Sequence, residues 1–114
     1  MPRKSKTEEF IETALGSAGK LPSLILLINR AIILLKEAKT APGLRRQNIV
    51  KTQNILAQLE RALNYRKGKL SGNLFFIYDF LFDELTRGDE KGIDLSINML
   101  MQLRDTYAEL HKKA

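Results

Sequence analysis

The chain contains no cysteine and no tryptophan, a single histidine and only three prolines. The missing thiols exclude disulfides, thiolate metal sites and cysteine nucleophiles, and they agree with a reducing compartment such as the cytoplasm. The longest apolar stretch, "LPSLILLINRAIILL", is broken by Asn29 and Arg30 and falls short of the roughly 20 apolar residues that cross a bilayer. The opening "MPRKSKTEEF" is basic but has no apolar segment behind it, so a secretory signal is not expected. The expectation is a cytoplasmic protein without membrane insertion.

Catalytic apparatus is equally scarce. His111 stands in the basic "ELHKKA", where an exposed ring near helix-end carbonyls is the ordinary outcome. No serine has a histidine to pair with other than this one. Gly68 and Gly72 lack the spacing of a phosphate loop and are not followed by Lys-Ser or Lys-Thr. Asp79 and Asp83 lie one helical turn apart, but no histidine joins them and Glu84 points elsewhere, so they read as a solvated strip. Asp89 and Glu90 suit a helix N-terminus, where carboxylates meet free N–H groups. A non-enzyme with no catalytic residue, metal or cofactor is expected.

At 114 residues the chain has room for one core. Its richness in Leu, Ile, Ala, Lys and Glu favours helix. Residues 1–22 read as a flexible segment with a short helix over about Glu8 to Leu15, and residues 23–114 as the bundle domain. Pro22 suits a helix's first turn, opening a helix over about Ser23 to Thr40 that "APG" closes. A second runs from about Leu44 to Tyr65, with Ile49, Leu56, Leu59 and Leu63 on a single face. A third begins after the Gly68 to Gly72 connection and ends near Thr86; "RGDEKG" turns the chain into a fourth, about Asp89 to His111, striped by Ile93, Leu100, Leu103 and Tyr107. Short connections make neighbours antiparallel, which predicts an all-α, up-down four-helix bundle.

Two of these helices carry more apolar surface than a bundle interior takes. Four of the five phenylalanines, Phe75, Phe76, Phe80 and Phe82, fall within eight residues. At 100° per residue, Leu70, Leu74, Ile77, Tyr78, Leu81 and Leu85 already form a core stripe, with Phe75 and Phe82 to one side and Phe80 and Phe76 toward the other. In the first helix Leu24, Ile28, Ala31, Ile32 and Leu35 face inward, while Leu26 and Ile33 stack on the far side with Arg30 and Glu37. Burying one such side chain is worth roughly 1.5–3 kcal/mol. Three covers are open: an N-terminal segment carrying Phe10 and Ile11, a partner's amphipathic helix, or a second copy of the chain as a homodimer.

Charge adds a competing class. The net charge is +6, with nine Lys or Arg against two acids from Lys36 to Lys69 and three against eight from Leu70 to Leu110. Such a basic half can be a solvated face, or it can neutralise nucleic-acid phosphates through Arg45, Arg46, Lys51, Arg61, Arg66 and Lys67.

The order of residues carries a further signal. The stretch "KTQNILAQLERALNYRKGKLSGNLFFIYDFLFDEL" followed by "LSINMLMQLRDTYAEL" resembles the FliS family of flagellar export chaperones. The resemblance rests on Lys51 and Gln53, on the turn Leu63, Asn64, Tyr65, Lys67, Gly68, on Asn73 and Leu74 before Tyr78, Asp79 and Phe80, and on Leu103, Arg104, Asp105 and Tyr107. It spans about Leu24 to Leu110. Lys69 replaces a usual second glycine, Ile28 a usual tyrosine, and the family's N-terminal tyrosine segment is missing. The resemblance implies a helical bundle that binds the C-terminal segment of flagellin, keeps it from polymerising early and delivers it to the export gate. Exposed-side apolarity, rather than any family site, nominates Leu26, Ile33, Phe75, Phe76, Phe80 and Phe82 as contacts.

Overall fold

Helix punctuation falls where the chain's few Pro and Gly residues stand. The computed structural model describes residues 18–63 and 69–113, without the side chains of 18 and 69–71. Four α-helices carry the fold: α1 (Leu21–Thr40), α2 (Arg45–Arg61), α3 (Lys69–Thr86) and α4 (Glu90–Lys113). Single 3-10 turns precede α1 at Ala18–Lys20 and link it to α2 at Pro42–Leu44. The described residues thus form the expected all-α bundle. The predicted helix at Glu8 to Leu15, Phe10 and Ile11, and the turn Asn64 to Gly68 lie outside the described residues.

Pro22 stands in the first turn of α1, where a missing N–H costs nothing, and α1 starts at Leu21, two residues before its expected beginning. Leu21 is wholly buried, so the core extends to the first residue of the helix. Asp89 caps α4, its Oδ1 accepting from the Gly92 N–H at 2.8 Å. Gly88 has φ 69°, the left-handed conformation that ends a helix, and its N–H reaches the Leu85 carbonyl at 3.0 Å.

Each helix packs on its two chain neighbours, and α4 returns to α1, so the four form a closed square. Cross-helix bonds fit an antiparallel arrangement of neighbouring helices. The start of α1 meets the end of α2 through Lys20 Nζ and the Ala62 carbonyl. Gln53 of α2 donates to the Phe82 carbonyl and to Thr86 Oγ1 near the end of α3. Lys39 near the end of α1 pairs with Asp94 near the start of α4, which raises the lysine pKa, while Arg104 late in α4 donates to Asn29 Oδ1 early in α1.

The interior holds most of the predicted stripes; Ile77 is half-buried at the core's edge, and the side chain of Leu70 lies outside the described residues. Leu24, Ile28, Ala31, Ile32 and Leu35 of α1 meet Leu56 and Leu59 of α2, Leu81 and Leu85 of α3, and Ile93 and Leu100 of α4 in one core. Leu103, expected on the α4 stripe, is half-buried at its edge. Polar groups enter in few places. Asn48, 2% exposed, donates Nδ2 to the Leu34 carbonyl at 3.0 Å and so fixes how α2 sits against α1. Thr52 returns its hydroxyl to the Asn48 carbonyl at 2.8 Å.

Between α3 and α4, the hydroxyls of Tyr78 and Tyr107 share a buried hydrogen bond of 2.7 Å. Burial raises both phenol pKa values; for Tyr78 the neighbouring phenol adds to the effect, and for Tyr107 the hydrogen bond to Tyr78 works against it. At the other end of this seam the helices come so close that a Cβ on Gly92 would lie 2.7 Å from the Glu84 carbonyl oxygen.

Removing one hydroxyl from the tyrosine pair leaves the other buried without its partner. Tyr78→Phe or Tyr107→Phe alone should cost about 1–3 kcal/mol in denaturant melts, and the double variant less than the sum. Because the folded pKa values are raised, the stability contributed by the neutral phenols is full below the unfolded value of about 10 and is lost as pH rises above it. The double variant should therefore lose less stability than the parent at alkaline pH. Gly92→Ala should lower Tm through the clash with α3, whereas Gly43→Ala, which meets nothing within 4 Å, should not.

Candidate partner-binding grooves

Apolar residues left off the four inward stripes must go outward, and the structure distributes them over three faces. Leu26 and Ile33, two helical turns apart on α1, are 70% and 63% exposed. They stand over a groove of about 480 Å³ between α1 and α2, completed by Leu44 and rimmed by Arg30, Glu37 and Lys51. Asn48 lies in its wall, so the hydrogen bond to Leu34 also holds the groove's two sides together.

The phenylalanines of α3 divide. Phe82 is half-buried, packs against the core and faces α2 beside Ile49 and Gln53. Phe75 lies seven residues earlier on the same side, 38% exposed. Phe76 points outward at 71% exposure, and Phe80, 37% exposed, turns toward the α4 side. The six nominated residues therefore do not converge on one patch: Leu26 and Ile33 share the α1/α2 groove, Phe75 and Phe82 the α2 side of α3, and Phe76 and Phe80 its outer and α4 sides.

Two exposed apolar residues escape the sequence reading. Val50 is 49% exposed, so α2 is not single-faced as expected, and Leu95 of α4 is 36% exposed. Both break the helical spacing of their own stripes, and that was the available signal: Val50 follows directly on the inward Ile49, and Leu95 precedes the buried Ser96 by one position. The Ser96 hydroxyl is buried with no hydrogen-bond partner among the described residues.

The basic residues of the competing reading are spread around α2 rather than aligned. At 100° per residue Arg45, Arg46, Lys51 and Arg61 point in four different directions. Lys51 borders the α1/α2 groove, whereas Arg45 and Arg46 stand at the other edge of the helix. Arg66 and Lys67 lie outside the described residues. Across the α2/α3 seam, burial and then the charge of Asp79 hold the Glu60 carboxyl above its usual range. Among the described residues no group of His, Cys, Asp and Glu is placed to hold a metal ion, and no helix is long and apolar enough to cross a membrane.

The motif residues hold the helices together, while the surplus apolar residues face water. The family described as Flagellar protein FliS matches residues 4–114. The chain belongs to the FliS family. No curated protein and no solved structure matches it. Membership supports a flagellar secretion chaperone in general, a chaperone family rather than an enzyme family. Several residues that carry the FliS resemblance prove structural here: Tyr78 and Tyr107 bond each other, Arg104 reaches Asn29, and Gln53 ties α2 to α3.

Exposure separates surface from core in a way mutation can read. Phe76→Asp and Leu26→Asp should each change unfolding free energy by no more than about 0.5 kcal/mol. Leu81→Ala, at a fully buried position, should cost about 2–5 kcal/mol in the same measurement.

Proposed function

We propose that this FliS-family chain is a cytosolic chaperone that lays the amphipathic C-terminal segment of flagellin along its exposed apolar residues, prevents premature polymerisation and hands the segment to the export gate. The observation that carries this reading is the α1/α2 groove, where Leu26 and Ile33 stand exposed at a two-turn spacing above a polar rim. An amphipathic helix presents apolar side chains at the same interval and its polar face to water. Phe75, Phe76, Phe80 and Phe82 offer a second apolar track on α3, so a segment long enough to leave one groove meets the other by passing around the bundle.

A partner that orders only on binding gives up conformational entropy and binds less tightly per unit area, and it can then be released at the export gate. Leu26, Ile33 and Phe76 supply contact area whose exposure in the free chaperone is the driving force. A homodimer covering the same residues would be displaced by flagellin, and light scattering of the free chain reads its presence directly.

Calorimetric titration with the C-terminal segment of flagellin from the same genome should give saturable binding with a negative heat-capacity change and modest salt dependence. Leu26→Asp combined with Ile33→Asp should weaken it at least tenfold, about 1.4 kcal/mol or more. Absence of binding would overturn this reading and leave the nucleic-acid and self-association ones, and affinity that collapses with salt as counterion release demands would count against apolar burial as its source.

A further inference from the structure

At the end of the bundle where the α1/α2 and α3/α4 turns come together, the structure holds another recess, separate from the α1/α2 groove. It encloses about 610 Å³ between the start of α2 and the end of α3. Its floor is apolar, formed by Ile49, Val50, Phe82 and Leu85, of which Val50 is half exposed. Its rim carries Arg45, Arg46 and Arg87, and among the described residues no carboxylate lines it.

The state of the three guanidinium groups differs. Arg45 is folded back, its Nε making a long contact of 3.5 Å to the Ala38 carbonyl. Arg87 is engaged by Glu84, one turn earlier on α3. Arg46 is exposed and has no hydrogen-bond or ion-pair partner among the described residues. Glu84 neutralises one charge, so the rim keeps an excess of two positive charges over an apolar floor. The walls are fixed before any ligand arrives, because Gln53 bonds both the Phe82 carbonyl and Thr86.

We infer that this recess is a second peptide-binding site, which takes an acidic segment in which a leucine-like side chain is flanked by carboxylates. Val50 and Phe82 receive the aliphatic group, and Arg46 with the free donors of Arg87 receives the carboxylates. Complementarity of charge selects the partner: a basic amphipathic helix is repelled by the rim, and a purely apolar one leaves the arginines unpaired at the interface. Bare polyanions satisfy the rim but leave Val50 and Phe82 in water. The recess shares no lining residue with the α1/α2 groove, and it shares Phe82 with the α3 track of the proposed flagellin site.

The test is fluorescence anisotropy of the full chain with a labelled short peptide of alternating leucine and glutamate, acetylated and amidated at its ends. Saturable binding is expected, weaker by about fivefold or more when glutamine replaces every glutamate, and likewise when serine replaces every leucine. Arg46→Glu and Val50→Asp, both at exposed positions, should each weaken binding of the original peptide to a similar degree while the helical circular dichroism is unchanged. Arg46→Glu should in turn bind a leucine–lysine peptide better than the parent chain does, a reversal that a merely damaged fold does not produce. Equal binding of the glutamine peptide, binding unaltered by both substitutions, no binding at all, or tighter capture of a single-stranded oligonucleotide through Arg46 would each overturn the assignment.

Discussion

A helix in a four-helix bundle can turn only one stripe inward, roughly 100° of its circumference, before its flanks meet neighbouring helices and its back meets water. The rest of this molecule depends on that limit. Helix α1 carries Leu26 and Ile33 in addition to a complete inward stripe, and α3 carries four phenylalanines in addition to its own. No rotation of either helix buries both sets. The inward stripes win because they are longer and close one shared core, and Leu26, Ile33 and Phe76 are left largely in solvent. The apolar surface of the free chain is thus a consequence of packing geometry, and a partner that covers it recovers burial that the fold alone cannot obtain.

Apolar stripes are tolerant of sliding, so register needs another source. Here it comes from a few polar contacts with one solution each. Asn48 meets the Leu34 carbonyl, Gln53 meets Phe82 and Thr86, and Tyr78 meets Tyr107. Moving the Asn48 or the tyrosine contact by one turn would leave a buried polar group without its partner, at a cost of about 1–3 kcal/mol. The tyrosine pair joins α3 to α4, and Gly92 permits the close approach of their other ends. That several of these residues are the ones by which the chain resembles the FliS family follows naturally: they set how the helices sit against one another.

Much of the fold was legible because its signals are local. Pro22, the "APG" turn, Gly88 and Asp89 mark helix ends through constraints on φ and on free N–H groups that need no distant partner. The surplus of Phe76, Leu26 and Ile33 was legible for a similar reason, since counting apolar residues against one stripe requires only the helical period. Val50 was not: a single valine beside Ile49 looks like the edge of the stripe until the orientation of α2 is known. Nor did periodicity tell Phe82, half-buried against the core, from Phe76, which is open to solvent.

Composition, spacing and residue order determined that this protein is helical, that its core uses one face of each helix, that apolar residues are left over, and that it resembles one chaperone family. Each of these depends on properties a residue carries with it along the chain. Only the tertiary structure decided which leftovers share a surface. It separated Leu26 and Ile33 from the phenylalanines, joined Tyr78 to Tyr107 across 29 positions, and brought Arg46 and Arg87, 41 residues apart, to the rim of one recess over Val50 and Phe82. The physical reason is that a helical period fixes direction around one axis, whereas neighbourhood between helices depends on their relative rotation and register, and those are settled by buried polar contacts between residues far apart in the chain.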